Sequence, residues 1–80
     1  MQRSDNFPLA AVVESICPDR NGKIFVFTGF PVKSAIVNLV SACPGAEVVV
    51  DTNFNQKDGF HLFYNKVEPR SVIKFSYQAI

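Results

Sequence analysis

Residues 23–45, KIFVFTGFPVKSAIVNLVSACPG, decide the fold that the sequence predicts. The segment opens with an apolar run rich in β-formers at residues 24–27. Because this run is apolar on both sides, it predicts a central strand that is covered on both faces. Thr28 and Gly29 then end the strand with a hydroxyl side chain and a residue that leaves the backbone accessible.

A helix is expected to follow this corner. Pro31 suits the first turn of a helix, and Ile36, Leu39, Val40 and Cys43 recur at the spacing of one apolar helix face. The Pro-Gly pair that follows would end the helix. A strand that runs through a Thr-Gly corner into a helix places free helix N–H groups beside that corner, which is an arrangement that binds phosphate.

At these residues the chain resembles the BRCT family, whose small modules bind phosphopeptides or DNA ends in DNA repair and replication proteins. The family opens with a strand of the type GKxFVFTG, and residues 22–29 read GKIFVFTG. Lys33 occupies the position of an Arg that opens the first helix in bacterial ligase and clamp-loader members. Residues 44–45 stand where those members have a Gly pair, and residues 71–75, SVIKF, match the Ser-x-x-Lys pattern of the second helix.

The resemblance covers about residues 22–80 and implies an α/β fold. The expected domain is a BRCT-like sheet of three or four strands flanked by two or three helices. The loop before Lys33 is shorter than in ligase-type members, and the chain lacks the Trp that the third family helix usually carries. A divergent or C-terminally shortened member is therefore expected.

The same resemblance implies a phosphate site on a non-enzymatic binding module. Thr28 and Gly29 would contact phosphate oxygens, Lys74 would supply charge from the second helix, and Lys33 would add a contact at the first. The ligand would be a DNA end or a phosphorylated protein. The alternative is that Thr28 caps the helix, Gly29 relieves a tight turn, and both lysines are solvated.

The remaining segments are assigned less sharply by their patterns. Residues 1–6 are polar and are expected to form a mobile tail of a single domain. Residues 9–16 fit a helix or a buried strand, and the resemblance favours the helix. Residues 46–52 and 60–64 are predicted strands, whereas residues 72–78 fit either a helix or a strand.

A second architecture uses the same elements. If residues 9–16 form a strand, the turn-forming connector 17–22 becomes a hairpin loop, and the result is a ferredoxin-like α+β sandwich. Such a domain would act as a small protein-interaction, chaperone-like or inhibitor domain without a phosphate site.

Composition limits the functions that this chain could carry. Eighty residues make one domain with a thin core, and a 48% apolar share with eight Phe indicates a folded chain. The net charge of +1 gives no basic field for general nucleic-acid coating. The many Phe make a homodimer plausible.

The reactive side chains point to no catalytic, metal or cofactor site. Cys17 and Cys43 lack metal-ligand spacing and are expected to be free thiols. The lone His61 is expected to be structural, and Glu47 and Asp51 are expected to be solvated carboxylates on one face of a strand. No apolar stretch reaches the length of a membrane span and no secretory signal precedes the domain, so a cytoplasmic protein, or a nuclear one in a eukaryote, is expected without membrane contact.

Overall fold

A computed structural model describes residues 9–80, which form six β-strands. These strands are β1 (Leu9–Cys17), β2 (Gly22–Phe27), β3 (Ala35–Ser41), β4 (Glu47–Val50), β5 (Gly59–Asn65) and β6 (Ser71–Ala79). They form two three-stranded sheets, sheet A with the order β1-β6-β3 and sheet B with the order β2-β5-β4. All pairings are antiparallel, so residues 9–80 form an antiparallel β-sandwich.

The predicted α/β fold is wrong, and so is the ferredoxin-like alternative. Both architectures require at least one helix packed on a sheet, and no helix occurs within residues 9–80. The predicted tail at residues 1–6 lies outside the described residues. No helix in the described part of the chain is long and apolar enough to cross a membrane.

The core lies between the central strands of the two sheets. Along β5 and β6 every second side chain faces inward, as the period of a strand requires. The buried inward residues are Phe60, Leu62 and Tyr64 from β5 and Ile73, Phe75, Tyr77 and Ala79 from β6. The rings of Phe60 and Tyr77 meet edge to face with their centroids 5.6 Å apart, which joins the two sheets directly.

The segment predicted as the first helix is strand β3. Its inner residues Ala35, Val37 and Leu39 are half-buried, while Ile36 and Val40 face outward. The segment therefore shows the alternating burial of a strand, although Ile36, Leu39 and Val40 also have the spacing of one helix face. Pairing with β6 selects the strand, and the β-branched Ile and Val residues favour it.

The strand alternatives at both ends of the described chain are correct. Residues 9–16, expected to be helical from the resemblance, lie in β1, which pairs with β6 from Leu9↔Ala79 to Cys17↔Ser71. Residues 72–78 lie in β6. The strands predicted at residues 46–52 and 60–64 are confirmed as β4 and β5 with shifted ends.

The first predicted strand is confirmed, but its position in the sheet differs from the expectation. β2 lies at an edge of sheet B rather than at its centre, and only its inner face is covered. The connector after β1 is likewise not a hairpin loop, because β1 and β2 belong to different sheets. Hydrogen bonds hold this connector to the loop before β6, from Val67 N to Arg20 O at 3.0 Å and from Arg70 N to Cys17 O at 2.7 Å.

Both cysteines are free thiols near that loop. Cys17 ends β1 and is fully buried. Burial, followed by the charge of Cys43, raises the pKa of the Cys17 thiol above its ordinary value. Cys43 Sγ accepts a hydrogen bond from Glu68 N at 3.3 Å.

The buried thiol makes stability fall at alkaline pH. The unfolded chain loses the Cys17 proton at the ordinary thiol pKa of 9.0, whereas the folded chain retains it to higher pH. The free energy of unfolding should therefore decrease as pH rises above that value. Urea unfolding across this pH range should show a smaller decrease for Cys17→Ala. An identical decrease in both chains would contradict the assignment.

Neighbouring residues of β5 should differ sharply in their effect on stability. Leu62 is fully buried, so Leu62→Ala should lower the free energy of unfolding by about 2–5 kcal/mol. Phe63 faces outward, so Phe63→Ala should cost about 1 kcal/mol or less. Urea unfolding measures both, and equal losses would show that the inward and outward faces are assigned incorrectly.

Candidate interaction face

The outer face of sheet B carries an unusual concentration of aromatic side chains. Alternation along the strands turns every second residue outward. The residues concerned are Lys23, Phe25 and Phe27 of β2, His61, Phe63 and Asn65 of β5, and Glu47 and Val49 of β4. These eight residues are called the aromatic face below.

The large apolar residues of the aromatic face are exposed and contiguous. The exposed fraction is 66% for Phe27, 63% for Val49, 45% for Phe63 and 41% for Phe25. The strand register places Phe63 directly between Lys23 and Val49. One apolar surface therefore extends across all three strands of the sheet.

Packing holds one ring of this surface in place. Phe25 lies opposite His61 in the register, and the two rings meet edge to face with their centroids 5.1 Å apart. Gly59 leaves the space that this arrangement needs. A Cβ atom at Gly59 would collide with the Val26 carbonyl oxygen and would lie 2.6 Å from Cζ of Phe25. The glycine thus permits close approach of β2 and β5 and the position of the Phe25 ring.

Polar side chains border one end of the aromatic face. A depression of about 510 Å³ lies there, with Phe63 and Val49 in its wall and Asn21, Lys23, Glu47 and Asn65 around it. Glu47 Oε1 accepts a hydrogen bond from Asn65 Nδ2 at 3.4 Å, and Glu47 Oε2 lies 3.7 Å from Lys66 Nζ. The Glu47 side chain remains 56% exposed, so it is available to a partner.

The outer face of sheet A differs in composition. Its central strand β6 turns Val72, Lys74, Ser76 and Gln78 outward, and only the first of these is apolar. Val12 lies opposite Ser76, and Glu14 lies opposite Lys74. Ile16 lies directly opposite Val72 at one end of this face, whereas Val12 and Ile36 lie opposite the polar residues Ser76 and Gln78, and no outward strand position carries an aromatic side chain.

The corner predicted to bind phosphate is built differently from the expectation. Thr28 and Gly29 follow β2, and both of their N–H groups donate to the carbonyl oxygen of Asp58, at 2.9 and 3.0 Å. The Thr28 hydroxyl donates to Phe30 O at 2.8 Å. Gly29 has a φ of 87°, which suits glycine in a tight turn. The donors that would have met a phosphate are engaged within the chain.

The two predicted lysines do not converge on this corner. Lys33 lies in the connection from β2 to β3, and its N–H donates to Ile80 O at 2.6 Å while its side chain is exposed. Lys74 lies in the middle of β6 on the outer face of sheet A, opposite Glu14. Ala79, the last residue of β6, precedes Ile80, whose carbonyl oxygen accepts the hydrogen bond from Lys33 N. At the rise of a strand, Lys74 is about 16 Å along β6 from Ala79 and is therefore far from the backbone of Lys33. The phosphate assignment stays a prediction that this arrangement does not support.

Sequence reasoning missed the residues of the aromatic face. The run at residues 24–27 is apolar at every position, which suggests burial on both sides, yet Phe25 and Phe27 point to solvent. The number of Phe residues was a signal in the sequence that some of them are exposed. A domain of 80 residues has little interior volume, so eight Phe are more than its core readily holds.

In comparisons with known proteins, no family model matches the chain, and neither a curated protein nor a solved structure matches it significantly. The BRCT resemblance therefore rests on residues 22–29, Lys33, residues 44–45 and residues 71–75 alone. The flanking helices that it implies do not occur within residues 9–80. The β-sandwich and the aromatic face are assigned from the strand pairing and the exposed side chains of this chain itself.

Binding of a phosphate at the Thr-Gly corner can be tested directly. In an amide NMR titration with a five-prime-phosphorylated DNA duplex, the Thr28 and Gly29 signals should not respond to the phosphate, because both N–H groups already donate to Asp58 O. The same duplex without phosphate is the control. Phosphate-dependent shifts confined to Thr28, Gly29, Lys33 and Lys74 would contradict this expectation and support the phosphate site.

Proposed function

We propose that this domain is a non-catalytic protein-interaction module that binds a protein partner through its aromatic face. The observation that carries the proposal is the contiguous exposure of Phe25, Phe27, Phe63 and Val49 on one side of one sheet. Contiguous apolar patches on a small domain mark interaction surfaces, whereas single exposed apolar residues do not.

The composition of the face suits a protein interface. Protein interfaces are enriched in aromatic residues at their centre, and polar groups surround that centre. Phe63 lies on the central strand, while Lys23 and Glu47 lie on the two edge strands beside it. Full burial of an aromatic side chain of this size stabilises a complex by about 1.5–3 kcal/mol before the costs of association.

The backbone supports the same use of the face. Phe63 is on β5, which is hydrogen-bonded to a neighbour on both sides, and Phe25 is on β2, which is paired with β5. Side chains that project from paired strands lose less conformational freedom on binding than those on loops. The aromatic face is therefore a rigid, preorganised surface.

The family resemblance implies that the domain binds a phosphate group on a DNA end or a phosphoprotein. This function remains a prediction without a supporting contact. The Asp58 carbonyl engages the N–H groups of Thr28 and Gly29. Lys74 lies on the other sheet. The aromatic face thus has the stronger physical basis as the functional surface.

Paired substitutions on the two outer faces test this proposal. The immobilised chain is used to capture partners from an extract of its source cells, and the affinity of each captured protein is then measured by surface plasmon resonance. Phe63→Asp should weaken binding at least about tenfold, because it places a charge at the centre of an apolar contact. Val12→Asp, at an exposed position of sheet A, should leave the affinity unchanged.

Circular dichroism of both variants establishes that the fold is retained. Equal weakening by the two substitutions, or no weakening by Phe63→Asp, would contradict the proposed role of the aromatic face.

A further inference from the structure

We propose that the partner of the aromatic face is a second copy of this chain, packed face to face about a two-fold axis parallel to β5. This inference rests on the proposed function, since it assumes that the aromatic face is the binding surface. Three properties of the face support it: the distribution of its charges, the position of its central ring, and its size.

The two margins of the aromatic face carry opposite charges. Lys23 lies on the outer side of edge strand β2, and Glu47 lies on the outer side of edge strand β4. Asp51 follows β4; its N–H donates to His61 O at 3.0 Å, and its Oδ1 accepts a hydrogen bond from Asn53 N at 3.0 Å. Phe63 lies on the central strand between these margins. The face is thus basic on one side, acidic on the other and aromatic in the middle.

This distribution selects one symmetric arrangement. A two-fold axis parallel to the strands places β2 of each copy over β4 of the other, so Lys23 lies over Val49 of the second copy and is diagonal to Glu47, two residues further along β4, in two equivalent places. An axis across the strands would instead place β4 over β4 and bring the acidic margins together, which is unfavourable. Charge complementarity therefore favours the axis parallel to β5.

The central ring lies where such an axis would pass. Phe63 is on the middle strand, so in the proposed dimer the two Phe63 rings meet near the axis and exclude water from the centre of the contact. Lys23 and Glu47 lie on either side of Phe63 and would form the polar margin. The Glu47 carboxylate, although close to Asn65 and Lys66, is still 56% exposed and can accept a second cation.

The domain is broad enough for a stable contact of this kind. Its Cα atoms span 40 × 27 × 16 Å, so the molecule is thin in one direction and wide in the other two. A specific interface buries about 800 Å² on each partner, roughly one-sixth of the 4995 Å² accessible surface of this chain. Face-to-face packing of sheet B on sheet B would bury all three strands of the aromatic face at once.

Sedimentation equilibrium of the purified chain over a concentration series tests the proposal. The unmodified chain should be dimeric. Lys23→Glu alone and Glu47→Lys alone should each weaken the dimer roughly tenfold, because each substitution turns two attractions into two repulsions. An equimolar mixture of the two variants should recover dimerisation, since a heterodimer again pairs opposite charges at both contacts.

Lys74→Glu is the matched control. It reverses the same kind of charge on the outer face of sheet A and should leave the dimer unchanged. A chain that is monomeric at every concentration would overturn the proposal, and so would a dimer that does not respond to the charge reversals or is not recovered in the mixture.

The outcomes separate this inference from the proposed function. If the chain is monomeric but captures a different protein in a manner that Phe63→Asp abolishes, the aromatic face is a binding surface and the self-association is wrong. If Phe63→Asp changes neither self-association nor capture, both proposals fail.

Discussion

The burial of β6 between β1 and β3 is the interaction on which the rest of the structure depends. β6 pairs with β1 along its whole length and with β3 along most of it, so it organises sheet A alone. Its inward residues Ile73, Phe75 and Tyr77 pack on the inward residues of β5 and close the sandwich. In a domain this small, a single strand that joins three elements supplies much of the core.

This dependence explains which strands the sequence could predict. β2, β4 and β5 are short apolar or alternating runs bounded by turn residues, so local pattern identifies them. β3 contains Ile36, Leu39 and Val40 at helical spacing, and its strand form depends on pairing with β6, which lies more than 30 residues away in the chain. Local periodicity carries no information about such pairing, and tertiary context decides the outcome.

The candidate site was predictable to a lesser degree. The Thr28-Gly29 corner is a tight turn, as expected, but the predicted helix that would have made it a phosphate site is a strand. Without that helix, Lys74 projects from a different sheet. Ser71 and Lys74 are three residues apart in a strand, so their side chains do not share one face as they would in a helix. The exposure of Phe25 and Phe27 could not be read from a run that is apolar at every position, because an edge strand and a buried strand share that pattern.

The same constraint connects the fold to the proposed function. A sandwich of two three-stranded sheets has one interior layer and two outer faces, and Phe25, Phe27 and Phe63 lie on an outer face. Here they are concentrated on sheet B, whereas the centre of sheet A's outer face is mainly polar. An exposed apolar face of this kind is stabilised when a partner surface covers it, and in the proposed dimer that surface is the same face of a second copy.

Cross-strand NMR contacts test the central claim most directly, namely that β3 is a strand paired with β6. The sandwich predicts backbone contacts between β3 and β6 that follow the pairs Val37↔Tyr77 and Leu39↔Phe75, with extended-chain chemical shifts through residues 35–41. Sequential helical contacts through residues 31–43, without contacts to β6, would contradict the account and restore the α/β arrangement.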